Sequence, residues 1–208
     1  MIKIISKWLV IGMLLAFFYM TGCLNDPEEP KVTIGEGPIV EKPIEVDSFN
    51  RVNHVIFGDM SITVSDTFSV VLRSHQNILD MMTWEVDDNT FYWGFNETVE
   101  HLQVDEILCE IKIPKDIKSV VLTGAGLITI SGPSQEEILI ELNGYGEIKA
   151  YGLEVSKASV FIEGRGEVEV FVNDELTGLI AGNGNVFYRG NPVINLPIIG
   201  SGGVIDDN

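Results

Sequence analysis

Gly144-Tyr145-Gly146-Glu147-Ile148 decides the fold, because the same Gly-x-Gly-x-Ile/Val unit recurs at Gly124-Ala125-Gly126, Gly164-Arg165-Gly166, Gly182-Asn183-Gly184 and Gly200-Ser201-Gly202. The first glycines are spaced by 20, 20, 18 and 18 residues. Ile128, Ile148, Val168, Val186 and Val204 follow each second glycine by two positions, and Leu122, Leu142, Ile162, Ile180 and Ile198 precede each first glycine by two. A match on both sides of every unit is an internal repeat and not a by-product of glycine content.

Apolar residues alternate around these anchors, as in Val120/Leu122, Ile140/Leu142, Val160/Ile162, Ile128/Ile130 and Val168/Val170, so each unit reads as two short strands. The Gly-x-Gly falls at the corner between them, where a tight turn or a close backbone approach disfavours a Cβ. A second corner carries Gly132, Gly152 or Gly190. A unit of 18 to 20 residues cannot bury its own apolar face, so neighbours must stack. The expectation is an all-β parallel β-helix, a solenoid of short two-stranded rungs with Ile128, Ile148, Val168, Val186 and Val204 as one internal ladder. An antiparallel meander or sandwich is the alternative. Ala125, Tyr145, Arg165, Asn183 and Ser201 are the corner tips, expected to line one exposed edge with Tyr145 beside Arg165.

The segment before the repeats differs. Alternating strands are expected near Val52–Phe57, Ser61–Val64, Phe68–Arg73, Thr83–Val86, Thr90–Gly94 and Ile107–Ile113, with Asp87-Asp88-Asn89 as a turn. Residues 46–119 are read as an irregular N-terminal β cap and 120–205 as the repeats, together forming one domain over 46–208.

The first 22 residues read as a processing signal: Lys3 and Lys7 precede an apolar run, Trp8 to Met20, that is shorter than the roughly 20 residues a spanning helix needs. Met20-Thr21-Gly22-Cys23 resembles the lipobox of bacterial lipoproteins, which implies cleavage before Cys23 and acylation of that cysteine. Several acyl chains would anchor the protein durably. Residues 23–45, with Pro27, Pro30, Pro38 and Pro43, read as the lipidated cysteine and an extended tether. Leu24 after the cysteine, where the familiar inner-membrane retention signal has aspartate, and the acidic Asn25-Asp26, Glu28 and Glu29 point to the outer membrane and to display at the cell surface.

Removing residues 1–22 takes two lysines and no acid from a chain of net charge −18, leaving about −20. Such a charge excludes nucleic acid as a partner and suits solubility at a crowded membrane. With Cys23 taken by lipid, Cys109 has no disulfide partner, and in Ile107-Leu108-Cys109-Glu110-Ile111-Lys112-Ile113 it shares the face of Ile107, Ile111 and Ile113. It reads as a buried structural thiol.

Catalytic signatures are missing: the sequence has no nucleophile elbow, no phosphate-binding loop and no metalloprotease helix. His54, His75 and His101 lie far apart and read as surface or edge residues, so neither metal nor other cofactor is expected. Glu147 and Glu167 occupy the same repeat position, as do Lys149 and Glu169, which raises the question of a glycosidase pair. A solvated face with partial charge compensation explains them, and it is the reading preferred over a glycosidase pair.

Over roughly residues 46–205 the chain resembles the autotransporter adhesin head domain, also called the GIN domain, of Bacteroidetes envelope proteins. The resemblance rests on Phe49-Asn50-Arg51-Val52, on the strand ending Ile111-Lys112-Ile113-Pro114, and on the Gly-x-Gly-x-Ile/Val units. Many members carry Gly-Ser-Gly at these corners, whereas only Gly200-Ser201-Gly202 does so here. The resemblance implies a right-handed β-helix and an envelope location. The expected function is a non-catalytic, adhesin-like surface module whose partners are the membrane, through its N-terminal lipid, and an extracellular glycan or protein. An envelope accessory or stress-sensing protein and a carbohydrate-active β-helix enzyme are the alternatives.

Overall fold

The computed structural model describes residues 32–96, 99 and 101–208, so the signal segment and Cys23 lie outside the described residues. In chain order the strands are β1 (Val32–Ile34), β2 (Ile39–Ile44), β3 (Arg51–His54), β4 (Asp59–Val64), β5 (Ser69–His75), β6 (Met82–Asp87), β7 (Thr90–Phe95), β8 (His101–Gln103) and β9 (Leu108–Ile113). They continue as β10 (Ser119–Leu122), β11 (Ala125–Ser131), β12 (Gln135–Leu142), β13 (Tyr145–Ile162), β14 (Arg165–Ile180), β15 (Asn183–Arg189), β16 (Val193–Asn195) and β17 (Ser201–Asp206). One short helix, α1 (Gln76–Leu79), follows β5. Among the described residues no helix is long and apolar enough to cross a membrane.

The repeats pair in parallel at the register the spacing demands. Tyr145 lies beside Ala125 and Arg165, Gly146 beside Gly126 and Gly166, and Ile148 beside Ile128 and Val168. Val186 and Val204 continue that ladder. Leu122, Leu142, Ile162 and Ile180 form a second. All of these except Val204 are fully buried, because period-two alternation sends them to one face of every strand. The corners share one hydrogen-bond pattern: the N–H groups of Asn143 and Gly144 both donate to Leu122 O at 2.9 Å, and Tyr145 N–H donates to Gly124 O at 3.0 Å. The same three bonds recur one rung on at Glu163, Gly164 and Arg165.

Two features depart from the expected short, purely parallel rungs. The second corner does not break the strand at Gly152, so β13 and β14 run on as strands of 18 and 16 residues, with only register shifts between Ala150 and Glu154 and between Val155 and Lys157. The sheet is also mixed: β2 pairs antiparallel with β5, β5 with β9, and β6 with β7. The Asp88-Asn89 turn forces the last of these, since both residues adopt positive φ, 42° and 58°, the backbone of a tight hairpin.

The N-terminal part contributes more than a cap. β3 pairs in parallel with β10 and β4 with β11, so His54-Val55-Ile56-Phe57-Gly58-Asp59-Met60 lies beside Leu122-Thr123-Gly124-Ala125-Gly126-Leu127-Ile128 as a further copy of the unit. Beyond it, β7 pairs with β3 and β9 with β4, again in parallel. The antiparallel strands β6, β5 and β2 then close that end of the sheet. Within the stretch read as tether, Val32–Ile34 pairs with β8 and Ile39–Ile44 with β5. Pro43 fits because β2 is an edge strand, where a missing N–H is tolerated.

Two histidines read as surface or edge residues are buried. His54 occupies a core ladder position beside Leu122; Trp93 Nε1–H donates to its Nδ1 at 2.8 Å, and its Nε2–H therefore donates to Gly58 O at 2.8 Å. Burial holds its pKa below the ordinary histidine value, against weaker raising effects of the Gly58 carbonyl and the Asp59 charge. His75 is buried with Nδ1 2.7 Å from Gly37 O and Nε2 3.4 Å from Asp105. His101 alone is exposed. Cys109 is fully buried beside Met60, and burial pushes its thiol far above the ordinary range.

Candidate functional site

Every rung turns its corner on the same edge of the molecule, so the tip residues are stacked by backbone pairing alone. Phe57, Ala125, Tyr145, Arg165, Asn183 and Ser201 follow one another in parallel register. Neighbouring strands lie about 4.8 Å apart. Tyr145 is 62% exposed, and the Arg165 guanidinium carbon stands 5.8 Å from its ring centroid, close enough for a cation–π contact of about 0.5 to 1 kcal/mol. Phe57 is half-exposed and packs on Phe95 at 5.8 Å.

A concavity of about 670 Å³ opens along this edge, lined in part by Asn143, Tyr145, Glu163, Arg165, Asn183 and Ser201. Amide, carboxylate, guanidinium and hydroxyl groups thus surround one exposed aromatic ring. That chemistry suits a polar ligand with an apolar face. The corner glycines make the edge this close to the backbone, since no Cβ stands between one tip and the next.

A second concavity of similar volume lies on the outer face of the strands that precede the corners, lined by Arg51, Lys118, Glu137, Lys157, Phe161 and Glu175 among others. Its charges are largely compensated in register: Lys157 lies beside Glu137 and Glu175, and Lys118 is 3.5 Å from Asp116 and 3.7 Å from Glu137. Ser119, Ser159 and Thr177 give it a floor of small polar groups.

Glu147 and Glu167 are paired in register, as are Lys149 and Glu169. Lys149 Nζ is 2.8 Å from Glu147, and that hydrogen bond, with the charges of Glu147, Glu169 and Glu167, raises the lysine above its ordinary pKa. Glu147 is thereby engaged as an ion-pair partner on an open strand face, its side chain 44% exposed. Among the described residues no group of three His, Cys, Asp or Glu side chains stands where it could hold a metal ion.

Sequence reasoning placed the tips on one edge but missed Phe57, because Ile56 stands where the other units have their first glycine. The signal for it was present in Gly58-Asp59-Met60, which keeps the second glycine and the apolar residue two positions on.

A family described as "Putative auto-transporter adhesin, head GIN domain" matches residues 109–192. No curated protein matches the chain. Among solved structures, a "putative adhesin" from Bacteroides fragilis NCTC 9343 is similar with a TM-score of 0.56 and 15% identity, covering 84% of this chain and 99% of its own. That likeness shows a shared fold. A protein of the same description from Parabacteroides distasonis ATCC 8503 aligns at 18% identity over 85% of this chain and 100% of its own, with a TM-score of 0.39. A "putative cell adhesion protein" from Clostridium sporogenes ATCC 15579 aligns at 13% identity over 82% and 99%, with a TM-score of 0.41.

Proposed function

We propose that this protein is a lipid-anchored, non-catalytic adhesive module of the outer membrane, displayed at the cell surface and making contact through its corner edge. The observation that carries the reading is the register-stacked, exposed row of tips with Tyr145 and Arg165 at its centre. The match of residues 109–192 to an adhesin-head family and the shared fold with an adhesin-named structure support it. In this reading the parallel ladder winds as a right-handed β-helix, Cys23 carries the acyl chains, and the corner glycines keep the tip row straight. An extracellular glycan or protein is the ligand class, because a ring face flanked by Asn143, Glu163 and Asn183 can stack on an apolar surface while satisfying hydroxyl or amide groups.

The test uses whole cells producing the full chain. Cys23→Ser is expected to move the protein from the membrane to the soluble fraction without altering its circular dichroism. Tyr145→Ala together with Arg165→Ala is expected to lower attachment to glycan- or matrix-coated surfaces at least tenfold while leaving the melting temperature within a few degrees, since exposed side chains away from the core contribute little stability. Attachment unchanged by the double substitution would refute the edge as the contact surface. Turnover of a polysaccharide panel, abolished by Glu147→Gln with Glu167→Gln, would replace the adhesive reading by an enzymatic one.

A further inference from the structure

The last rung of the sheet carries no charge before Asp206. From Gly190 to Ile205 the chain reads Gly-Asn-Pro-Val-Ile-Asn-Leu-Pro-Ile-Ile-Gly-Ser-Gly-Gly-Val-Ile, in a protein of net charge −18. Among the described residues β16 pairs only with β14 and β17 only with β15, which leaves the far edge of both strands unpaired by them. Ile194 lies beside Leu176 and Ile198 beside Ile180, continuing fully buried core ladders, yet they are 41% and 43% exposed because none of the described residues stacks on them. Val193 and Ile199 on the same rung are 73% and 75% exposed.

Asp207 and Asn208 do not cover this end. Asp207 is held sideways by Arg189 and by the Tyr151 hydroxyl, both at 3.0 to 3.1 Å, and Asn208 is hydrogen-bonded to Gly190 in both directions. The opposite end is finished differently, by the antiparallel strands β6, β5 and β2. Stacked-repeat proteins need a polar face on a free terminal repeat, and exposed strand edges are ordinarily guarded by charges. Pro192 and Pro197 remove two donors beside β16, but β17 contains no proline and no guarding lysine.

We infer that this end is a self-association surface at which two copies of the chain meet tail to tail about a twofold axis, their β17 edges running antiparallel. The patch selects the occupant: the same edge and the same apolar ladder ends on a second copy match it, at the part of the surface where acids are fewest in a chain of charge −18. A twofold contact uses the same patch on both copies and is therefore satisfied by a surface that is apolar throughout. In an antiparallel arrangement Asp206 of one copy faces the glycine-rich start of β17 in the other, and Asp207 is already neutralised by Arg189. A twofold contact occupies this end of both copies, so the association stops at two and does not extend into a filament.

Sedimentation of the full chain in density-matched detergent tests this independently of any adhesive function. A dimer is expected for the native protein and for Tyr145→Ala, which leaves the end untouched. Val193→Glu with Ile199→Glu is expected to weaken association at least a hundredfold, and Ser201→Asp at the start of the same edge to weaken it at least tenfold. All variants should keep the native far-ultraviolet spectrum, since these side chains are exposed. A native protein monomeric at every concentration overturns the inference, as does a dimer that survives the double substitution. A different protein bound stoichiometrically to a monomeric chain at this end also overturns it.

Discussion

Gly166→Val is expected to cost on the order of 3 to 5 kcal/mol and to lower the melting temperature by at least about 10 °C. Two effects combine at this corner. Gly166 has φ 145°, which side chains rarely adopt, and a Cβ placed there would collide with the carbonyl oxygen of Gly146 in the rung beneath. That carbonyl belongs to paired backbone and cannot move without disturbing the ladder between β13 and β14. Gly146→Val meets Gly126 in the same way. Gly203→Ala provides the contrast, for it has ordinary φ and nothing closer than 3.8 Å to an added Cβ, so it should change stability by less than about 0.5 kcal/mol. Equal melts for Gly166→Val and Gly203→Ala would show that the stacked corners do not constrain the fold.

Trp93→Phe is expected to destabilise by about 2 to 4 kcal/mol, because it opens space in a fully buried site and strips His54 Nδ1 of the donor it accepts from. Adding His54→Leu should restore part of that loss, since removing both partners of a buried hydrogen bond costs less than removing one. The native pair also makes stability depend on pH. His54 has a folded pKa below its unfolded value of about 6.5, so in the window beneath that value the unfolded chain binds more protons. Its contribution is complete above about pH 6.5 and declines as the pH falls below it. Denaturant melts at pH 7.5 and 5 should therefore show a larger acid loss for the native protein than for the Trp93→Phe/His54→Leu double variant. Identical losses would assign the acid sensitivity elsewhere.

Why some of this was legible in the sequence and some was not follows from how local each constraint is. A corner that must pack on the corner below allows little besides glycine, so the five Gly-x-Gly units and the apolar residues flanking them expose their register directly. Tyr145 and Arg165 could be placed as neighbours for the same reason. The unit at His54–Met60 escaped because Ile56 and His54 replace a glycine and a leucine, and because 68 residues separate Met60 from its partner Ile128. His54 could have been read as buried from its alternation with Val52, but a histidine is tolerated in a core only with its hydrogen bonds satisfied, and Trp93 lies 39 residues away. Prolines misled in the other direction: Pro43 marks an edge strand as readily as a tether. The antiparallel pairings of β5 left no local signal, for alternation is the same in either orientation.

The placement of β3 and β4 also sets the order in which the chain can assemble. From β11 to β17 each strand meets its partner 17 to 21 residues later, as Ile128 does Ile148, whereas Met60 must wait for Ile128. Closing the longer loop costs only about 1 kcal/mol more in chain entropy, but it also requires β5 to β9 to be threaded aside first. Local contacts form fastest, so the Gly-x-Gly rungs are the expected nucleus and propagate as a one-dimensional array, while the interrupted unit docks late. In a chain that emerges N-terminus first, the edges of β3 and β4 that pair with β10 and β11 then stay open until those strands have emerged. Pulse-labelled hydrogen exchange during refolding should protect the amides of Ile148 and Val168 before those of Val52 and Ile62; simultaneous protection would mean that the sheet forms as a single cooperative unit.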